Sequence, residues 1–257
     1  MKYIKFSFCI IMLLLFCISF SKNNMATEIN TETSTQFDIN NLPKYVSEDE
    51  ITTFLNNSVY LGDSIVMFFY SFTQRKEVNN FCDATFLFAK SMRLNDVLQE
   101  VSRDSIHPTY MGQKRLAEDA ILLCGKKNVF IYLGMCDLIY TDINTNILMY
   151  QSLIDRIKAK IPDVKIHIIS LTYIVRNSGR SAFQTNDGIR LFNYNLKVMC
   201  ENNNIGFIDM ASPYSNQNGD MDPEYSSDSY FHIKSQYYSL WENTLRGYAR
   251  QYLSTLK

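Results

Sequence analysis

The order of apolar and amphipathic segments predicts an α/β fold, a three-layer α/β/α sandwich around a central parallel sheet of about five strands. Two patterns carry this reading. Five short runs are apolar at nearly every position, as strands covered on both faces are. The stretches between them repeat apolar residues every three or four positions, which puts one buried face on a helix. Alternating strands and helices assemble as a parallel sheet with helices on both sides. Such sheets bind their ligands beyond the carboxyl ends of the strands, so the residues just after each apolar run are where chemistry is expected.

The amino terminus stands apart from this pattern. Lys2 and Lys5 precede an uncharged apolar run over residues 6–20 (FSFCIIMLLLFCISF). The run is short for a membrane span, which takes about 20 residues, and has the length of a signal-peptide core. Ser19 and Ser21 are small residues at the spacing a signal peptidase reads, so residues 1–21 are expected to be removed on export. A lipoprotein site at Cys17 fits less well, because Phe16 stands where a small residue is wanted. Residues 22–44, rich in Asn, Thr, Ser and Glu, read as a flexible polar leader, and residues 45–257 as one domain. The expected product is secreted or held at the cell surface, meeting the membrane only through the signal segment before cleavage.

Within the domain, Ser47 with Glu50 forms a capping box that starts a helix running to about Asn56. Residues 58–61 (SVYL) are the first strand, ending at Gly62, and residues 85–89 (TFLFA) the second. Residues 128–133 (NVFIYL), 164–171 (VKIHIISL) and 205–208 (IGFI) follow as the third, fourth and fifth. Ile147, Tyr150, Ile154, Ile157 and Ile161 share one helix face. So do Ile189, Phe192, Leu196 and Met199, and again Trp241, Leu245, Tyr248 and Tyr252.

Composition narrows the function. Lys and Arg number 25 against 26 Asp and Glu, a net charge of −1. Nucleic-acid binding needs a basic excess, so no nucleic-acid partner is expected. Removing residues 1–21 takes Lys2 and Lys5 and no acid, which leaves −3. Cys9 and Cys17 leave as well. Cys82, Cys124, Cys136 and Cys200 remain, with no Cys-x-x-Cys pair, which argues against a structural zinc site. Four cysteines allow three full pairings, among which the sequence does not choose, and buried free thiols are the favoured expectation for these four.

Three blocks fall at strand ends. After the first strand, Gly62-Asp63-Ser64 presents a serine hydroxyl at a helix N-terminus, where backbone N–H groups favour developing negative charge. After the third comes Gly134-Met135-Cys136-Asp137. Ahead of the last helix, Asp228 precedes His232 by four residues. A nucleophilic serine needs a base within about 3 Å, and that base needs an orienting acceptor. Ser64, His232 and Asp228 supply this set if the two ends of the chain meet across the sheet. Of the other histidines, His107 lies in a His-Pro loop and His167 inside an apolar strand, where a core or rim role is expected.

In order and placement the blocks resemble the SGNH (GDSL-type) hydrolase family, over roughly Tyr45 to the C-terminus. The run at 112–138 (GQKRLAEDAILLCGKKNVFIYLGMCDL) resembles bacterial members, as does Tyr194-Asn195. The resemblance implies a flavodoxin-like sheet and a serine esterase with Ser64 as nucleophile, His232 as base and Asp228 as its orienting acid. It implies oxyanion or substrate contacts at Ser91, Cys136 and Asp63. No metal or organic cofactor is implied. The substrate class it implies is a small ester or an acylated carbohydrate, with O-acetyl groups the foremost candidates. Three departures stand out. Cys136, a weak donor, replaces the family's oxyanion asparagine. Ala89-Lys90-Ser91-Met92 has no glycine where the family offers one. The Asp-to-His spacing is one residue longer than its commonest form. The first departure lowers the expected turnover and motivates an alternative, a catalytically weakened glycan-binding relative.

Overall fold

The computed structural model describes residues 44–75 and 81–257. The expected signal peptide, and all of the polar leader but Lys44, lie outside the described residues. The domain opens with α1 (Glu48–Asn56), whose N-terminus is closed by the capping box: Ser47 N–H donates to Glu50 at 2.8 Å and Glu50 N–H returns to Ser47 Oγ at 3.2 Å. There follow β1 (Ser58–Gly62), α2 (Ser64–Thr73), β2 (Thr85–Phe88) and α3 (Leu94–Leu98). A small hairpin, β3 (Thr109–Tyr110) and β4 (Gln113–Lys114), leads to α4 (Ala117–Cys124). The rest is β5 (Asn128–Tyr132), α5 (Ile143–Lys160), β6 (Lys165–Ile169), α6 (Asn186–Asn202), β7 (Gly206–Ile208) and α7 (Tyr238–Leu256).

The central sheet has the order β2-β1-β5-β6-β7, and every pairing in it is parallel. The chain runs outward from β1 to β2, then crosses back to β5 and continues the other way. The topological switch therefore lies between β1 and β5, where such sheets form their binding crevice. Helices α1, α2 and α7 pack together, while α3, α4 and α6 gather around α5. This is the three-layer α/β/α arrangement that the sequence predicts.

One sheet row explains how tightly the layers are set. Phe86, Tyr60, Phe130 and His167 stand side by side on neighbouring strands. Their rings stack with centroids 5.0, 5.0 and 4.7 Å apart in that order. Phe69 of α2 meets Tyr60 edge-on, and Trp241 of α7, wholly buried, meets Tyr132 the same way. His167 is thus a core ring. Its Nδ1 pairs with Tyr248 Oη at 2.7 Å, and burial pushes its pKa down to about 3, so it stays neutral.

The apolar runs overshoot the strands by a residue or two, for a physical reason. Past the ends of the ladders, side chains from the helices take over the backbone groups. Tyr150 Oη accepts from Leu133 N–H at 3.1 Å. Asn193 bonds both the N–H and the carbonyl of Leu171, at 2.9 and 2.8 Å. Among the helix faces, Tyr150, Ile154 and Ile157 are buried as expected, while Ile161 falls one residue past the end of α5 and is buried there. The expectation of buried thiols is corrected for two of the four cysteines. Cys136 and Cys200 are buried, but Cys82 is exposed and Cys124 half-buried, and all four are free. Cys82 lies in the irregular turn before β2, outside the layers that bury the strands.

Candidate active site

β1 delivers Ser64 through the tight turn at Gly62 and Asp63. A Cβ on Gly62 would lie 2.4 Å from Val66 and 2.6 Å from the Tyr132 carbonyl, so only glycine lets α2 begin this close to β5. Asp63 caps the helix, its Oδ1 accepting from Ile65 N–H at 2.9 Å. Ser64 is the first helical residue, and its own N–H has no partner inside the helix.

On the far side, Ser226 and Ile233 pair across a short antiparallel bridge that closes the loop carrying Asp228 and His232. Ser64 Oγ lies 2.9 Å from His232 Nε2, and His232 Nδ1 lies 2.6 Å from Asp228 Oδ2. The extra residue in the Asp-to-His spacing is absorbed by Ser229, which turns left-handed at φ 58°. That kink wraps the chain around the carboxylate. Asp228 Oδ1 accepts from Tyr230 N–H at 2.9 Å, from His232 N–H at 3.2 Å and from Ser226 Oγ at 3.2 Å. Burial works to raise the Asp228 pKa, but the bonds from His232 and Tyr230 outweigh it and hold the carboxyl below its usual value. The carboxylate stays ionised and fixes Nδ1 of the imidazole as the protonated nitrogen, which leaves Nε2 to accept from Ser64. The imidazole is held between Phe231, stacked at 4.2 Å, and the edge of Phe68 at 5.6 Å.

Ser64, Asp228 and His232 open onto a cavity of about 400 Å³ whose walls include Ser91, Cys136, Ile106, Tyr140 and Tyr230. Ser91 is left-handed, with φ 58°, in a turn closed by Met92 N–H to the Ala89 carbonyl at 3.2 Å. Positive φ at the third position of a turn is glycine's habitual place, so serine here keeps the backbone course that a glycine would give. Ser91 N–H bonds to no other described group. Cys136 follows Gly134, whose φ of 113° swings the chain out of β5 toward the cavity. Burial first, then the nearby Asp63 and Asp137, push the Cys136 thiol up to about 12, so it remains protonated. A neutral thiol is a weak hydrogen-bond donor and a poor nucleophile.

One expectation is corrected. Asp63 does not line the cavity. It is wholly buried beneath it, with Oδ2 unpaired among the described residues, and burial together with the charge of Asp137 raises its carboxyl to about 7. The Asp63 side chain is directed at its own helix, so its place is in the turn and not against substrate. Sequence reasoning also missed much of the cavity wall. Arg93, Ile106, Tyr140 and Arg180 come from irregular loops that carry no periodicity or motif, whereas Lys90 adjoins Ser91 in the block after β2, and Tyr230 and Phe231 sit inside the Asp228–His232 block. Among the described residues, no group of three or more His, Cys, Asp or Glu is gathered as a metal site, and no helix is long and apolar enough to cross a membrane.

Residues 60–240 match the model of the GDSL-like lipase/acylhydrolase family. The chain belongs to this family. No curated protein matches it. Solved structures of the family's fold are similar at low identity. A putative acylhydrolase from Bacteroides fragilis is 15% identical over 76% of this chain and 87% of its own, with a TM-score of 0.59. A GDSL-like lipase from Bacteroides thetaiotaomicron is 13% identical over 76% and 88%, with a TM-score of 0.56. A catalytic mutant of an acetylxylan esterase from Geobacillus stearothermophilus is 12% identical over 75% and 93%, with a TM-score of 0.53. At these identities the likeness speaks for the GDSL-type fold alone.

Proposed function

We propose that this GDSL-family protein is an exported serine esterase that works through an acyl-enzyme on Ser64, with O-acetyl groups on carbohydrate as its substrate class. The observation that carries the reading is the continuous relay from Ser64 through His232 to Asp228, at 2.9 and 2.6 Å, opening onto the cavity. In this mechanism Ser64 Oγ attacks the acyl carbonyl while His232 Nε2 takes its proton. The carbonyl oxygen becomes an oxyanion that meets the free N–H groups of Ser64 and Ser91 and, more weakly, the Cys136 thiol. His232 then gives its proton to the departing alcohol. A water then attacks the acyl carbon as it loses a proton to the same nitrogen, and that proton passes to Ser64 Oγ as the acid departs, which restores the hydroxyl and the imidazole. The serine reading is favoured over a cysteine nucleophile because Ser64 Oγ faces its base at 2.9 Å, while among the described residues no hydrogen bond joins the Cys136 thiol to His232.

The carbohydrate reading draws on the likeness to the acetylxylan esterase and on the expected export, with the mature chain beginning near Lys22. Ser64→Ala tests the enzymatic reading. It should abolish hydrolysis of p-nitrophenyl acetate with little change in melting temperature, because the hydroxyl bonds only His232. Turnover at the wild-type rate in that variant would refute it.

A further inference from the structure

The charges around the cavity do not balance. Besides the neutral Cys136 thiol and the phenols of Tyr140 and Tyr230, the acidic and basic side chains of its wall are Lys90, Arg93, Arg180, Asp228 and His232. Asp228 is committed to His232 and the surrounding donors. Arg93 is matched in two bonds by Asp96, at 3.1 and 2.7 Å. Lys90 and Arg180 remain, and among the described residues neither has a carboxylate within salt-bridge distance. In a chain whose acids slightly outnumber its bases, two uncompensated cations facing one crevice are a local excess.

Arg180 is also built into place. Its guanidinium lies 4.3 Å over the ring of Tyr230, which is itself buried. Its backbone N–H donates to Gln184 Oε1 at 3.2 Å, and Tyr230 Oη donates to the same oxygen. Gln184 is wholly buried and donates in turn to the Met135 carbonyl at 2.9 Å. Next to Arg180, Ser181 Oγ donates to the Leu138 carbonyl at 2.6 Å. The loop that bears Arg180 is thereby tied both to the chain leaving β5 and to the loop of Asp228. Arg180 is exposed, but its backbone is anchored and its guanidinium is seated over Tyr230, with no described group bonded to its planar fork of donors. That is the arrangement that receives a carboxylate in two parallel bonds.

We propose that Arg180, assisted by Lys90, binds a carboxylate on the substrate, so that the enzyme selects esters of acidic molecules over neutral ones. The inference rests on the serine-esterase reading above. The carboxylate can belong to the alcohol half, as in an acylated uronic acid, or to the acyl half, as in a hemisuccinate. The recognition chemistry is the same.

Three substrates separate the cases: phenyl acetate (neutral), 4-acetoxybenzoate (acid on the alcohol half) and phenyl hemisuccinate (acid on the acyl half). At low salt, kcat/KM for one of the acidic esters should exceed that for phenyl acetate by roughly 10- to 100-fold, the range of a charge-assisted bond. The acidic ester that gains identifies which half carries the carboxylate. Arg180→Gln should bring that ratio close to one, and Arg180→Glu should invert it. Lys90→Gln should reduce it partly, and 0.5 M NaCl should shrink it in the wild type. A wild type that cleaves phenyl acetate but shows no preference for either acidic ester would overturn the charge selection and leave the esterase reading intact. If no ester is cleaved at all, the esterase reading fails. Charge selection is then decided by calorimetric titration of the Ser64→Ala protein with 4-acetoxybenzoate and with phenyl hemisuccinate. Binding of either that is lost in Ser64→Ala/Arg180→Gln supports the proposal, and equal binding by both proteins, or none, overturns it.

Discussion

Replacing Cys136 by asparagine puts a strong hydrogen-bond donor where the protein holds a weak one. The backbone at this position is helical, with φ −75° and ψ −27°, a conformation that asparagine adopts without strain. The side chain faces a cavity of about 400 Å³, so an amide close to cysteine in volume is accommodated by displacing solvent and not by repacking the core. With the thiol pushed up to about 12, the existing group is neutral throughout the working range and contributes little to an oxyanion. A well-aimed amide donor in such a hole is worth about 2.7–4 kcal/mol, or 10²–10³ in kcat. The neighbours at 136 are fitted to a sulfur, so roughly 10- to 100-fold is expected. The gain should fall on kcat, with KM nearly unchanged, because the oxyanion exists only after attack. Cys136→Ala should stay within about 3-fold of the wild type, since it removes a donation that is small to begin with. Steady-state kinetics on p-nitrophenyl acetate, with melting curves for each variant, read all of this. A folded Cys136→Asn protein with no gain in kcat would refute the placement of an oxyanion hole at the end of β5. Inactivation by both substitutions would make the thiol itself a participant.

Two further outcomes follow from the backbone and the buried charge. Ser91→Gly removes a left-handed serine at φ 58°, a strain of about 1 kcal/mol for a residue with a Cβ. It should raise the melting temperature by roughly 2–4 °C, and a lowered one in calorimetry would contradict the strain. Asp63→Asn tests the raised carboxyl. With a folded pKa of about 7 against an ordinary 3.8, folding holds a proton that the unfolded chain releases. The stability from that proton is complete below about pH 4 and is lost as pH rises through 7. The variant, which cannot titrate there, should therefore gain on the wild type between pH 5 and pH 8 by on the order of a few kcal/mol, and parallel pH profiles would refute the buried charge.

The sheet, its strand order of appearance and the helix faces were legible because fully buried strands and one-sided helices leave different apolar periods. The strand ends were less so, because it is Tyr150 and Asn193, distant in sequence, that take over the backbone groups at Leu133 and Leu171. The serine, histidine and aspartate could be singled out from their positions at strand ends and from their order. Two of the irregularities beside them are resolved by backbone conformation. Ser91 adopts the left-handed turn in place of a glycine, and Ser229 takes up the extra residue before His232. Neither serine carries a sign of this in the sequence. Asp63 was misread because a motif position does not reveal which way a side chain points. Arg180 was invisible for a related reason, since its place depends on Gln184 and Tyr230 meeting across loops that have no period.

The central claim is that Ser64 is the nucleophile of this GDSL-family hydrolase. Incubating the protein with a fluorophosphonate and mapping the adduct by peptide mass spectrometry tests it most directly. The expected result is a single adduct on the peptide containing Ser64, absent from Ser64→Ala and suppressed in His232→Ala. A protein that remains unlabelled, or one that carries the label on Cys136, would contradict it.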